Sequence, residues 1–184
     1  MRPYVPILAL IAMISAPAAA QVTVFGESHA ASCYQSAVLA RSDIYALTDC
    51  ERALERRQLP RRDRAATHIN MGIILLHSGQ YEDALASFDE AEALNIGRRG
   101  ALAVNRSSAL IRLGRFDDAL VQTGIAIEAD EANIADAWFN RAMVLERLGD
   151  LPGAYQALSR ALEERPGWPL AQREMDRFSI ADGS

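Results

Sequence analysis

The sequence predicts an all-α fold, a solenoid of stacked antiparallel helix pairs. Three observations predict it. Gly79, Gly114 and Gly149 lie 35 residues apart, and Ala84, Ala119 and Ala154 keep the same interval, as do Ala91, Ala126 and Ala161 and Asn70, Asn105 and Asn140. One period carried by four residue classes marks a repeated unit. Each unit also holds two apolar-periodic stretches of about a dozen residues, a length that suits helices better than strands. Finally, a helix pair this short cannot bury its apolar face alone, so neighbouring pairs must stack.

Taken in chain order, the first segment reads as an export signal. Arg2 supplies a positive start, the apolar run Ile7 to Ile14 is too short to span a bilayer, and Pro17-Ala18-Ala19-Ala20 offers small residues for cleavage after Ala20. A retained N-terminal anchor is the alternative. Residues 21–26, Gln21-Val22-Thr23-Val24-Phe25-Gly26, alternate as an extended strand does and form a tail, either disordered or lying in a groove. Residues 27–60 hold a first, irregular helix pair in which Ala46, Cys50 and Ala53 repeat the spacing of Ala84, Phe88 and Ala91. That register puts Arg41 at the glycine position and Cys33 opposite, at the place of Met71. Pro60-Arg61-Arg62-Asp63 then separates this pair from the regular units.

Regular units occupy residues 65–98, 100–133 and 135–168. In the first, Tyr81, Ala84, Leu85, Phe88, Ala91 and Leu94 fall on one helical face. Glycine after the leading helix of each unit permits the left-handed residue that ends a helix and turns the chain back. Asn133 with Asp136 gives an N-cap signal, and Pro152 sits in a first turn, where a missing N–H costs little. Residues 169–184 form a last helix with Leu170, Glu174, Met175 and Phe178 on a mixed face, suited to covering the end of the stack.

The pattern resembles the tetratricopeptide repeat. The third unit carries Trp138, Ala142, Leu145, Gly149, Ala154, Leu158, Ala161 and Pro166 in the family's order, while Ile96 and Glu131 stand in place of the proline in the first two. The resemblance implies a right-handed superhelix whose leading helices line a concave, ligand-binding face. Helical spacing then points Ile69, Asn70, Ile73, Leu76 and His77 into that groove, with Val104, Asn105, Ser108, Ile111 and Arg112, and with Asp136, Phe139, Asn140, Met143, Glu146 and Arg147. The apolar members form either a binding floor or core. The asparagines either pair with a peptide main chain or serve the repeats themselves. Arg112 and Arg147 offer positive charge for a carboxylate. The chain has no lysine, so a lysine-based carboxylate clamp is not expected.

Export gives the only two cysteines a meaning: Cys33 and Cys50 pair as a disulfide across the first hairpin, worth roughly 3 kcal/mol for a loop of this size. A redox pair is the alternative. The histidines His29, His68 and His77 show no metal-ligand spacing, so no metal or cofactor is expected. Arg52, Arg56, Arg57, Arg61, Arg62 and Arg64 cluster, either as a solvated helix end or as a contact for an acidic surface. The net charge of −5 disfavours nucleic acid. No nucleophile elbow, phosphate loop or zinc-protease helix occurs. The expected function is a periplasmic, non-enzymatic scaffold for a peptide or protein segment, with a self-assembling structural protein as the competing reading.

Overall fold

In the computed structural model, described over residues 28–95, 97–129 and 134–181, the chain is helical throughout. The expected signal segment, the 21–26 tail, Ile96, Glu131 and the expected Asn133 cap lie outside the described residues. The helices are α1 (His29–Val38), α2 (Ile44–Leu54), α3 (Arg61–His77), α4 (Tyr81–Ala93), α5 (Arg99–Arg112), α6 (Phe116–Glu128), α7 (Ile134–Arg147), α8 (Leu151–Glu164) and α9 (Pro169–Ala181). Consecutive helices pair as α1–α2, α3–α4, α5–α6 and α7–α8, each pair packs on the next, and α9 packs on α8.

The turns are built from one hydrogen-bond pattern. Gly79 N–H donates to Leu76 O and Gln80 N–H to Leu75 O; Gly114 and Arg115 repeat this on Ile111 and Leu110, and Gly149 and Asp150 on Glu146 and Leu145. This is the Schellman closure, which needs a left-handed residue at its centre; the three glycines have φ of 79°, 72° and 85°. The first hairpin makes the same closure without glycine. Ala40 N–H donates to Ala37 O, Arg41 N–H donates to Ser36 O, and Ala40 takes φ 52°. The left-handed position is therefore Ala40, one residue before the expected Arg41, and the turn to α2 is one residue longer than in the regular units. Asp43 closes it by accepting from the N–H groups of Tyr45 and Ala46. Because L-residues pay for this conformation, Ala40→Gly is expected to raise stability by about 0.5–1 kcal/mol and Gly149→Ala to lower it by about 1 kcal/mol. Paired denaturant titrations check the opposite signs.

The extra residue also shifts α1. Counting back from the left-handed position, Cys33 matches Gly72, not Met71, while Cys50 still matches Phe88. In the regular units this pair of positions is filled by Gly72 with Phe88, Ser107 with Thr123, and Ala142 with Leu158, all buried. In the first hairpin it is filled by a covalent bond: Cys33 and Cys50 are joined, fully buried, with Cα atoms 4.9 Å apart.

Pro60 to Asp63 is not a separate linker. Arg61 to Asp63 form the first turn of α3 with Pro60 at its cap. The arginines there reach the carbonyl ends of neighbouring helices: Arg64 donates to Leu54 O and Arg56 O, both at 2.8 Å, and Arg61 donates to Leu94 O at 2.7 Å. Orphan carbonyls at helix C-termini are met by cations, which also suit the dipole. At the other end, α9 buries Ala171, with Met175 and Phe178 partly covered, against Ala142, Ala157 and Leu158. Leu170 stays outside this face, 38% exposed. No described helix is long and apolar enough to cross a membrane.

Candidate functional site

The leading helices α3, α5 and α7 bring Leu76, His77, Ser108, Ile111, Arg112, Phe139, Asn140 and Met143 around one open concavity of about 580 Å³, which Ser78, Gly79 and Tyr81 also line. Half of the expected groove residues thus share a wall. The concavity is amphipathic: Leu76, Ile111, Phe139 and Met143 supply an apolar side, and Arg112, Asn140 and Ser108 a polar one.

Each polar group has a defined anchor. Arg112 Nε donates to the Tyr81 hydroxyl at 3.0 Å, and its guanidinium lies 5.5 Å from the Tyr81 ring centre. A guanidinium held this way keeps its remaining N–H donors for a ligand. Tyr81 is the residue that sequence reasoning missed. Helical spacing assigns it to the packing face of α4, where Phe116 and Leu151 hold the equivalent positions; its hydroxyl is the signal that sets it apart. Asn140 Nδ2 lies 2.8 Å from Ser107 Oγ, 2.9 Å from Ser108 Oγ and 3.3 Å from Val104 O. The amide therefore ties α7 to α5, which is the repeat-serving role. His77 turns Nδ1 back onto Ile73 O at 2.8 Å.

The other expected residues sit elsewhere. Ile69 and Val104 are core, 9% and 8% exposed, because their positions face the trailing helices rather than the groove. Ile73 is partly buried, packed both against the core around Ile69 and Phe88 and against that around Cys33, Cys50 and Ile74. Asn70 and Asn105 are half-buried and Arg147 is exposed; none of the three lines the concavity. Asp136 is bound to Arg165 through two hydrogen bonds of 3.1 and 2.6 Å. Arg165 in turn stacks 4.3 Å from the Trp168 ring, which meets Phe139 at 5.0 Å. Glu146 pairs with Arg177 of α9 at 2.7 Å, and Arg177 also pairs with Glu174. The carboxylates placed in the groove by spacing are thus spent on fastening the end of the stack. The three histidines make separate contacts: His29 Nδ1 is 2.9 Å from Asp49, His77 turns to its own helix, and partial burial pushes the His68 pKa down. Among the described residues, no group of three His, Cys, Asp or Glu side chains is placed to hold a metal ion.

Comparison with known proteins bears on the fold and the family. The tetratricopeptide repeat profile matches residues 69–134 and 104–169. Among solved structures, the first TPR of Spaghetti (RPAP3) bound to the HSP90 peptide SRMEEVD is similar at TM-score 0.60 and 24% identity, covering 67% of this chain and 96% of that one. The structure of MamA is similar at TM-score 0.64 and 17% identity, over 81% of this chain and 83% of that one. No curated protein sequence matches. The two profile matches overlap and run without a gap from residue 69 to residue 169, more than half of the chain, so this protein belongs to the tetratricopeptide repeat family.

Proposed function

We propose that the chain is a non-enzymatic scaffold that receives a peptide or protein segment in the concavity between α3, α5 and α7, and that it works in the bacterial periplasm. The observation that carries this reading is the amphipathic wall itself. Leu76, Ile111, Phe139 and Met143 offer an apolar side chain a place to leave water, while Arg112, steadied by Tyr81, offers a carboxylate a fixed partner. The similar RPAP3 domain holds a peptide, which supports a partner of the same class. The apolar run and small-residue site before Gln21 support export, and the cysteine pair fits an oxidising compartment.

Phe139→Glu is expected to abolish capture of the partner from periplasmic extract while leaving the helical circular dichroism unchanged. Capture that survives the substitution places the site elsewhere. Mass spectrometry of exported protein is expected to find Gln21 first; an intact Met1 would mean an anchor.

One observation favours the competing reading of self-assembly. The first hairpin exposes Tyr34, Val38, Leu39, Ile44 and Tyr45, from 53% to 74% of each residue. In the next units the places of Ile44 and Tyr45 are held by Glu82 and Asp83, and by Asp117 and Asp118. Sedimentation that stays monomeric across concentration would remove this reading.

A further inference from the structure

The repeat supplies its own control for a second site. Arg106 on α5 is mostly covered and pairs with two carboxylates of α4, Asp89 and, at 2.9 Å, Glu92. Arg141 stands one period later on α7. The residues one period after Asp89 and Glu92 are Gly124 and Ile127. Both partners of the arginine are lost at once, and among the described residues no carboxylate lies at ion-pair distance from Arg141.

The lost side chains leave space. A concavity of about 610 Å³ opens between α6, α7 and α8, with Gly124, Ile127, Trp138, Arg141 and Leu145 among its walls. A Cβ built on Gly124 would meet nothing within 4 Å. This concavity shares no lining residue with the groove of α3, α5 and α7. Most other charged groups on its walls are engaged: Arg160 pairs with Glu163 at 2.7 Å, and Asp150 accepts from Gly153 N–H at 3.0 Å. Glu128 also lies on the wall, and among the described residues it forms no ion pair with Arg141.

We propose that the concavity around Arg141 is a second interaction site, which takes an acidic side chain from a partner protein into the place vacated by Asp89 and Glu92 equivalents. The Arg106 pair shows what the site accepts: a carboxylate on the side of the preceding helix, which is α4 for Arg106 and α6 for Arg141. Trp138, Ile127 and Leu145 form an apolar ledge beside it, so the acidic residue is flanked by an apolar one. A charge-assisted contact on such a ledge is sensitive to loss of either charge.

The test uses two blocked dipeptides, acetyl-Asp-Leu-amide and acetyl-Asn-Leu-amide, followed by NMR at the Gly124 amide and the Trp138 indole N–H. The aspartyl peptide is expected to give saturable shifts with Kd on the order of 1 mM, and the asparaginyl peptide to bind at least ~5-fold more weakly. Arg141→Gln should remove the difference between the two. Gly124→Asp, which supplies the carboxylate within the chain, should silence the response and melt above Gly124→Asn. Equal shifts with both peptides, or a response unchanged by Arg141→Gln, overturns the proposal. So does a double-mutant cycle of Arg141→Gln and Glu128→Gln in which each single variant loses stability and the double loses no more than either, since that coupling would show Arg141 satisfied by Glu128 in solution.

Discussion

Replacing Cys33 and Cys50 together by alanine is expected to lower the free energy of opening of the α1–α2 hairpin by about 3 kcal/mol, the loop-closure value for a bridge spanning a separation of 17 residues. Two features make the hairpin depend on this bond. Its buried residues are small: Cys33, Ser36 and Ala37 on α1, and Ala46, Cys50 and Ala53 on α2. And the bond occupies the register position where Phe88 and Leu158 supply large buried side chains to other units. Without it, two small residues face each other where a ring or an isobutyl group belongs. A solenoid's stability is a sum of unit and neighbour terms, so a weak end unit opens alone. Native-state hydrogen exchange should therefore show protection lost in α1 and α2 while α5 to α8 keep theirs. Unchanged exchange in α1 and α2 would show that packing on α3 is enough and that the bond is ornamental to stability.

The parts of this architecture that sequence displays are those set by the backbone. Left-handed glycines and small alanines at helix crossings repeat because their geometry admits few residues, so Gly79, Gly114 and Gly149 announce the fold. The first hairpin is harder to read for the same reason. It reaches the left-handed state with Ala40 and adds one residue to its turn, so a fixed interval of counting slips by one on α1 and equates Cys33 with Met71 instead of Gly72, although the pairing with Cys50 is unaffected. Groove residues are less legible still. Helical spacing tells which side of α3, α5 and α7 a residue points to, and it brought Leu76, Ile111, Arg112, Phe139 and Met143 to one wall. It does not tell how deep the neighbouring unit sits, so Ile69 and Val104 turned out to be core. Nor does it reveal partners distant in sequence. Asp136 and Glu146 lie at groove positions, yet Arg165 and Arg177, 29 and 31 residues away, take them.

Gly72→Ala is expected to destabilise the protein by about 2 kcal/mol, although a glycine-to-alanine change inside a helix ordinarily stabilises by up to about 1 kcal/mol. A Cβ at residue 72 would run into the ring of Phe88, which is wholly buried and has no solvent side to retreat to. Gly124 is the internal comparison, a helical glycine with open space at its Cβ, so Gly124→Ala should raise stability by up to about 1 kcal/mol. The two substitutions are chemically identical and are expected to differ in sign, which urea titrations of both variants will decide. The third unit shows how the clash is relieved: its pair is Ala142 with Leu158, one methyl larger on one helix and a smaller side chain on the other. The double variant Gly72→Ala with Phe88→Leu copies that pair into the first unit. It should therefore be more stable than the two single losses added together, by about 1–2 kcal/mol of coupling. Additive losses would mean that Phe88 yields to the new methyl by moving, and that the fit between these two positions is not what sets the spacing of α3 and α4.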